Sequence, residues 1–171
     1  MLRQSWDRTR NLHRLCLAHG GCRGTAGQQR RNAGEQDRGR RLILDTNVLI
    51  AYERGAIDRS TLDNDELAVS AITIAEYRVG IELADSAERA ASRARALAAI
   101  ESVVDVLAYT DTTAIHHARL LAHVRRTGAR RGAHDLIIAA HAAETGRTVL
   151  TLDLKAGFAG LPGVLAIDAS S

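Results

Sequence analysis

The pattern of hydrophobic and polar residues changes at residue 41. Residues 1–40 contain a single short apolar patch, at 12–18, and no sustained periodicity. From Arg41 onward, short apolar runs rich in β-branched residues predict strands, and segments with apolar residues three or four positions apart predict amphipathic helices. The pattern therefore predicts an N-terminal extension of residues 1–40 followed by one folded domain of residues 41–171.

Strands and helices alternate throughout the predicted domain. Strands that alternate with helices usually pair in parallel, because each crossover helix returns the chain to the same edge of the sheet. We therefore expect an α/β fold, a three-layer α/β/α sandwich with a parallel sheet. The strands are predicted at 41–45, 67–71, 103–107, 148–152 and 164–167, and the helices at 46–52, 72–83, 86–101, 111–126 and 135–144.

The charge of the chain is divided unevenly between these two parts. The 171 residues carry a net charge of +3, yet residues 1–40 hold nine arginines against three acids, while the domain holds 14 basic and 17 acidic residues. An arginine-rich segment with so little apolar surface cannot form a packed core, so we expect the extension to be disordered. A start site assigned too far upstream is the other interpretation. The positive net charge thus describes the extension, and the domain is acidic.

Two classes of protein are excluded by composition. No stretch of 18 apolar residues exists, so the sequence predicts no membrane-spanning helix. Both cysteines lie in the extension, which excludes a disulfide scaffold and thiolate chemistry in the domain. We expect a cytoplasmic protein.

Four acidic residues stand where the elements of such a sheet converge. Asp45 and Asp153 follow predicted strands, and Glu76 and Asp135 lie in predicted helices. Ligands of parallel sheets bind at the carboxyl ends of the strands. Carboxylates gathered there repel one another unless a cation is present, and oxygen ligands suit Mg²⁺ or Mn²⁺. The positions therefore predict a divalent metal site.

Each acid also has a purely structural interpretation. Asp45 stands where it would cap the following helix, and Thr73 with Glu76 matches a capping box. Asp135 begins a predicted helix, where the helix dipole favours an acid, and Asp153 stands in a turn. Taken one residue at a time, both interpretations remain open.

Four segments together resemble the motifs of PIN-domain ribonucleases, in the order and spacing of that family. They lie at 42–50, 70–80, 134–140 and 148–153. The resemblance extends from about Arg41 to the C-terminus and is greatest to the toxins of VapBC toxin–antitoxin pairs. The extension is a departure, because family members usually begin a residue or two before the first strand.

The resemblance implies a metal-dependent endoribonuclease that hydrolyses RNA phosphodiester bonds with one or two Mg²⁺ or Mn²⁺ ions. Small polar residues, Thr46 and Thr151, match the positions that support the metal ligands. The acidic residues that correspond to the catalytic and metal-binding quartet are Asp45, Glu76, Asp135 and Asp153.

Basic residues outside the predicted pocket are candidates for contacts with RNA phosphates. The same residues also fit solvated helix ends and loops, so the sequence leaves both interpretations open. The candidates are Arg78, Arg130, Arg131 and Lys155.

The resemblance further implies a homodimer and a small VapB-like antitoxin as partner. The antitoxin tail would cross the groove between the helices at 46–53 and 72–83, with an arginine reaching the acids. Two alternatives remain within the family, a housekeeping PIN nuclease without an antitoxin and a catalytically silent RNA-binding module. A phosphoacceptor receiver domain fits poorly, because Asp45 has no paired acid and Lys155 is misplaced.

Overall fold

A computed structural model describes residues 39–170 and contains a five-stranded parallel sheet between two layers of helices. The predicted three-layer α/β sandwich is confirmed. In the order β3-β2-β1-β4-β5, the strands are β1 (Arg41–Leu44), β2 (Glu66–Ser70), β3 (Asp105–Leu107), β4 (Thr148–Thr151) and β5 (Leu165–Asp168). The helices are α1 (Thr46–Glu53), α2 (Ala71–Glu82), α3 (Ala87–Glu101), α4 (Asp111–Thr127) and α5 (Ala133–Thr145), with short 3-10 helices at Arg59–Leu62, Leu154–Ala156 and Phe158–Gly160.

The predicted boundaries of the strands and of the five helices lie within two residues of the observed ones, and local contacts set the start of β3 and the cap of α4. Strand β3 begins at Asp105 rather than at residue 103, because the N–H groups of residues 103 and 104 still donate to the carbonyl of Ile100 at the end of α3. Helix α4 begins at Asp111, as predicted, and is capped by Thr110, since Thr110 and Thr113 form a reciprocal capping box.

The two faces of the sheet bury separate cores. Successive side chains of a strand point to opposite faces, and β1 shows this directly. Leu42 and Leu44 pack into the core formed with α1, α2 and α3, whereas Ile43 packs into the core formed with α4 and α5. All three side chains are buried, so β1 is fixed between both helical layers.

The strand order reverses direction between β1 and β4. The chain adds β2 and β3 on one side of β1, then crosses to the other side to form β4 and β5. In open parallel sheets, the carboxyl edge at such a reversal forms a crevice in which ligands bind. Asp45 directly follows β1 at this crevice, and Asp153 follows β4.

Residues 1–38 lie outside the described residues, and with them almost all of the predicted extension. Arg40, its last residue, belongs with the domain. Its side chain forms an ion pair with Asp65 (Nη2 to Oδ2, 2.5 Å), and its carbonyl accepts the Glu66 N–H at 2.8 Å. Between residues 39 and 170, no helix is long and apolar enough to cross a membrane.

Candidate acidic active site

Asp45 is the buried centre of the candidate site. Its Oδ1 accepts the backbone N–H of Thr46 at 2.7 Å and thereby caps α1. Its Oδ2 accepts the Asn47 side-chain amide at 2.9 Å and the Thr151 hydroxyl at 2.8 Å. The capping interpretation from the sequence is therefore correct, and it accounts for only one of the two carboxylate oxygens.

Asn47 and Thr151 tie the end of β4 to the end of β1. The Asn47 side-chain oxygen accepts the Leu152 N–H at 3.1 Å, and the Thr151 hydroxyl accepts the Asp153 N–H at 3.0 Å. No role for Asn47 was predicted from the sequence. The sequence feature that could have predicted its role is the position of a side-chain amide two residues after a strand-end acid. From there the amide reaches both that acid and a neighbouring strand.

Glu76 lies in the middle of α2 and makes no capping contact. The helix is capped instead by Ser70, whose hydroxyl accepts the Ile72 N–H at 3.2 Å, so the predicted capping box with Thr73 is wrong. Glu76 Oε2 accepts the Thr46 hydroxyl, and Oε1 lies 2.5 Å from His134 Nδ1. Both carboxylate oxygens therefore point to the crevice side of α2, toward residues next to the other acids.

The remaining two acids are each held by a local backbone N–H group. Asp135, in the first turn of α5, accepts the Gly132 N–H. A Cβ atom at residue 132 would lie 2.5 Å from the Asp135 Oδ2, so a larger residue here would displace the carboxylate. Asp153 caps the short helix that follows β4, accepting the Lys155 N–H at 2.9 Å.

Burial and the charges of neighbouring acids raise the pKa values of Asp45 and Asp135. Burial raises the pKa of Asp45, and the nearby charges of Asp135 and Glu76 raise it further, against the opposing hydrogen bond from Thr151. Burial likewise raises the pKa of Asp135, with the charges of Glu76 and Asp153 acting in the same direction. Among the described residues, no lysine or arginine forms an ion pair with any of the four acids. The site thus carries negative charge that no described lysine or arginine offsets, with His134 beside Glu76 as its basic neighbour.

The donor set suits a hard divalent cation, since every acid offers carboxylate oxygens. The side chains are not yet arranged around one point, because within residues 39–170 no three acidic, histidine or cysteine side chains could hold a metal ion together. Glu76 is engaged by Thr46 and His134, and Asp135 by the Gly132 N–H. Binding a cation therefore requires these carboxylates to rotate away from their present partners.

The four predicted RNA-contacting cations occupy different surroundings. Arg78 pairs with Glu101 of α3 at 3.3 Å and stands two residues from Glu76, about 200° around the helix, so it faces away from the acids. Arg130 and Lys155 are exposed. The Arg131 side chain is partly buried, and its Nη1 donates to the carbonyl of Arg130 at 3.0 Å.

A groove between α1, α2 and α3 adjoins the acids. Its volume is ≈ 110 Å³, and Ile50, Tyr77 and Gly80 form part of its lining. Glu76 lines the groove as well, so the groove opens toward the acidic site. This is the position that the sequence analysis assigned to an antitoxin tail.

Residues 42–161 match the PIN domain. The chain belongs to the PIN-domain family. Curated PIN-domain relatives include Ribonuclease VapC5 from Mycobacterium tuberculosis, 38% identical over 128 residues, which are 74% of this chain and 91% of the relative. The tRNA(fMet)-specific endonuclease VapC from Salmonella typhimurium is 30% identical over 131 residues, 72% of this chain and 94% of the relative.

Solved PIN-domain structures have the same fold. The VapBC-5 toxin–antitoxin structure from Mycobacterium tuberculosis matches with a TM-score of 0.64 and 33% identity, over 75% of this chain and 98% of the matched chain. DNA-bound VapBC from Salmonella typhimurium matches with a TM-score of 0.65 and 29% identity, over 76% and 98%. The family predicted from the four motifs is confirmed.

Proposed function

We propose that this PIN-domain protein is an endoribonuclease, the toxin of a type II toxin–antitoxin pair, that hydrolyses RNA phosphodiester bonds in the cytoplasm. The observation that carries the proposal is the uncompensated acidic site around buried Asp45. It occurs in a chain whose relatives at 30–38% identity are named VapC nucleases. The VapBC structures with the same fold support the pairing with an antitoxin.

Asp45, Glu76, Asp135 and Asp153 are proposed to hold Mg²⁺ or Mn²⁺. When bound, such an ion activates a water molecule and offsets the charge that builds on the phosphate and the leaving oxygen. The neighbours of the acids are already arranged for this role. Thr151 and Asn47 fix the Asp45 carboxylate, so little rearrangement is left for Asp45, whereas Glu76 must turn away from Thr46 and His134.

The groove supports the proposal that a peptide segment of an antitoxin binds there and inhibits the nuclease. Its lining by Ile50 and Tyr77 suits apolar side chains, and Glu76 at the junction with the acidic site suits a cation. An antitoxin tail that carries both kinds of residue would cover the acids and exclude RNA. We also propose that the protein forms a homodimer, as the resemblance implies.

The acids also argue against a module that only binds RNA. Phosphate binding is driven by lysine and arginine, whereas the crevice holds four acids that pair with no described lysine or arginine. A housekeeping PIN nuclease differs from a toxin in its control rather than in its chemistry. Inhibition of cleavage by the product of a short reading frame next to the gene would support the toxin, and its absence would favour the housekeeping enzyme.

The test is cleavage of labelled RNA by the full-length protein with Mg²⁺ or Mn²⁺ and with a chelator. Asp135→Asn keeps an oxygen for the Gly132 N–H and removes the charge, and we expect it to reduce cleavage at least about 100-fold. Asp85→Asn is the matched control, because Asp85 is exposed and pairs with Arg89 outside the site. Equal cleavage by the wild type and Asp135→Asn, or no cleavage with either metal, would contradict the proposal.

A further inference from the structure

Arg131 lies directly against Gly157. A Cβ atom at residue 157 would be 2.6 Å from Arg131 Nη2, 2.7 Å from Cζ and 3.1 Å from Nε. Such distances are too short for any side chain, so only glycine leaves room for the guanidinium here. Gly157 also has a φ of +68°, in the left-handed region that favours glycine.

The contact joins the two segments that carry Asp135 and Asp153. Arg131 stands four residues before Asp135, in the loop that leads into α5, and Gly157 stands four residues after Asp153. Gly157 ends the short helix that Asp153 caps, and the next residue, Phe158, is 2% exposed and anchors the turn in the core. The guanidinium is therefore held between the loop before α5 and the turn after β4, the two segments that carry Asp135 and Asp153.

This guanidinium has donors that the protein does not use. Nη1 donates to the Arg130 carbonyl, whereas Nε is buried without an acceptor and Nη2 has no hydrogen-bond partner within the described part of the chain. Arg131 also forms no ion pair with any described carboxylate, although Asp135 and Asp153 are close in sequence on the two joined segments. A partly buried cation without a counter-charge is unfavourable in the free protein, and an arriving anion would relieve that cost.

We propose that Arg131 binds a phosphate of the RNA backbone next to the phosphate that is cleaved, and that Gly157 is required because it lets the guanidinium lie there. The proposal rests on the ribonuclease function above. A planar guanidinium with a free amino group is well suited to phosphate oxygens. Arg131 differs here from Arg78, which is paired with Glu101, and from Arg130 and Lys155, which are exposed.

The first test measures binding separately from cleavage. A fluorescein-labelled oligoribonucleotide is titrated with the full-length protein in a chelator, and anisotropy is followed at several salt concentrations. We expect Arg131→Met to weaken binding about tenfold and to reduce the slope of log K against log salt by about 1. Arg89→Met is the matched control, since Arg89 is exposed and paired with Asp85, and it leaves both quantities unchanged.

The second test separates the guanidinium contact from backbone strain. Gly157 and Gly163 both have left-handed φ angles, +68° and +75°, but a Cβ at residue 163 would meet nothing within 4 Å. Both alanine substitutions therefore add similar strain, and only Gly157→Ala displaces Arg131. We expect Gly157→Ala to weaken RNA binding about as much as Arg131→Met, the double variant to be no weaker than either, and Gly163→Ala to bind like the wild type.

Three results would overturn the inference. They are unchanged binding and salt slope in Arg131→Met, reduced cleavage with unchanged binding, and equal losses in Gly157→Ala and Gly163→Ala. The first two together would make Arg131 a positioning residue for the Asp153 segment. Failure of the proposed function is distinguishable, because the wild type would then cleave no RNA with either metal, while the loss of binding in Arg131→Met would persist.

Discussion

Charged side chains form ion pairs at the amino edge of the sheet, whereas the acids at the carboxyl edge pair with no described lysine or arginine. At the amino edge, the side chain of Arg147 is 4% exposed and pairs with Glu66, whose carbonyl it also contacts at 2.8 Å, while Asp105 lies 3.7 Å away. The hydrogen bond and charge of Arg147 lower the pKa of Glu66. At the carboxyl edge, Asp45 and Asp135 have no cation, and their pKa values are raised.

The difference separates structure from function within one sheet. Where charge serves only to join strands, acid and base neutralise each other and stabilise the fold. Where acids lie together without a lysine or arginine, their repulsion destabilises the folded state. Such an arrangement is typical of a site that binds a ligand. Arg131 at the same edge is the opposite case, a cation held without an anion.

Removal of the amino-edge cation should have the largest effect on stability. Arg147→Met fills the space but leaves the carbonyl of Glu66 and the Glu66 carboxylate without their donor, so we expect the Tm to fall by about 4 to 8 °C. Cleavage per folded molecule should be unchanged, because Arg147 lies at the far edge from the acids. Thermal unfolding followed by circular dichroism measures the first quantity, and Arg89→Met, an exposed pair, is the control that should shift Tm by less than about 1 °C. A loss of metal-dependent cleavage equal to that of Asp135→Asn would break the comparison.

The support of Asp45 should be the next most sensitive feature. Thr151→Val removes the hydroxyl that donates to Asp45 and accepts the Asp153 N–H, at a position 1% exposed. We expect a loss of about 1 to 2 kcal/mol in unfolding free energy, together with reduced cleavage. Denaturant titration and the RNA assay measure the two effects. Thr127→Val, which removes an exposed hydroxyl at the end of α4, should change neither, and an equal effect of the two substitutions would show that the site does not depend on this hydrogen bond.

Metal-free Asp135→Asn should stabilise the protein at neutral pH. Because the folded pKa of Asp135 is raised, its contribution to stability is fully present below about pH 4 and is lost as pH rises through the folded pKa. Removing the charge should therefore raise the Tm at pH 7 by about 1 to 3 °C, and the difference from the wild type should vanish at low pH.

The amino edge should show the opposite sign. The folded pKa of Glu66 is lowered, so its contribution is present above about pH 4.5 and is lost as pH falls through the folded pKa. Glu66→Gln should therefore lower the Tm at neutral pH and approach the wild type in acid. Thermal unfolding from about pH 3 to 8 compares both variants, and Tm shifts of the same sign at neutral pH would refute the contrast between the edges.

Removal of residues 1–38 should have the smallest effect. The sequence predicts no packed structure there, and the cut spares Arg40, which pairs with Asp65. We expect the Tm to change by less than about 1 °C and cleavage to be unchanged. A truncated protein that fails to fold would show that the domain boundary is misplaced.

Topology explains why the sequence could place two acids of the candidate site at one edge of the sheet. Asp45 and Asp153 end neighbouring strands, so a parallel sheet places them at one edge whatever the details of packing. The structural interpretation of Glu76 failed because the helix begins at Ala71, earlier than a capping box with Thr73 requires. Local pattern alone does not determine where a helix begins.

Contacts between segments that are distant in the chain could not be predicted from the sequence. Gly157 meets Arg131 only because the turn after β4 folds back onto the loop before α5, and a glycine in a turn has many explanations. His134 beside Glu76 likewise depends on how α2 crosses α5. Such pairs follow from packing, which pattern and spacing do not specify.

The central claim is that the acids at the carboxyl edge bind a divalent cation. It is tested most directly by the Tm of the full-length protein with and without Mn²⁺ or Mg²⁺. Metal should raise the Tm of the wild type by about 2 to 4 °C per kcal/mol of binding free energy. The Tm of Glu66→Gln should rise as much, and that of Asp135→Asn much less. Equal stabilisation of all three proteins, or none of the wild type by millimolar metal, would contradict the claim.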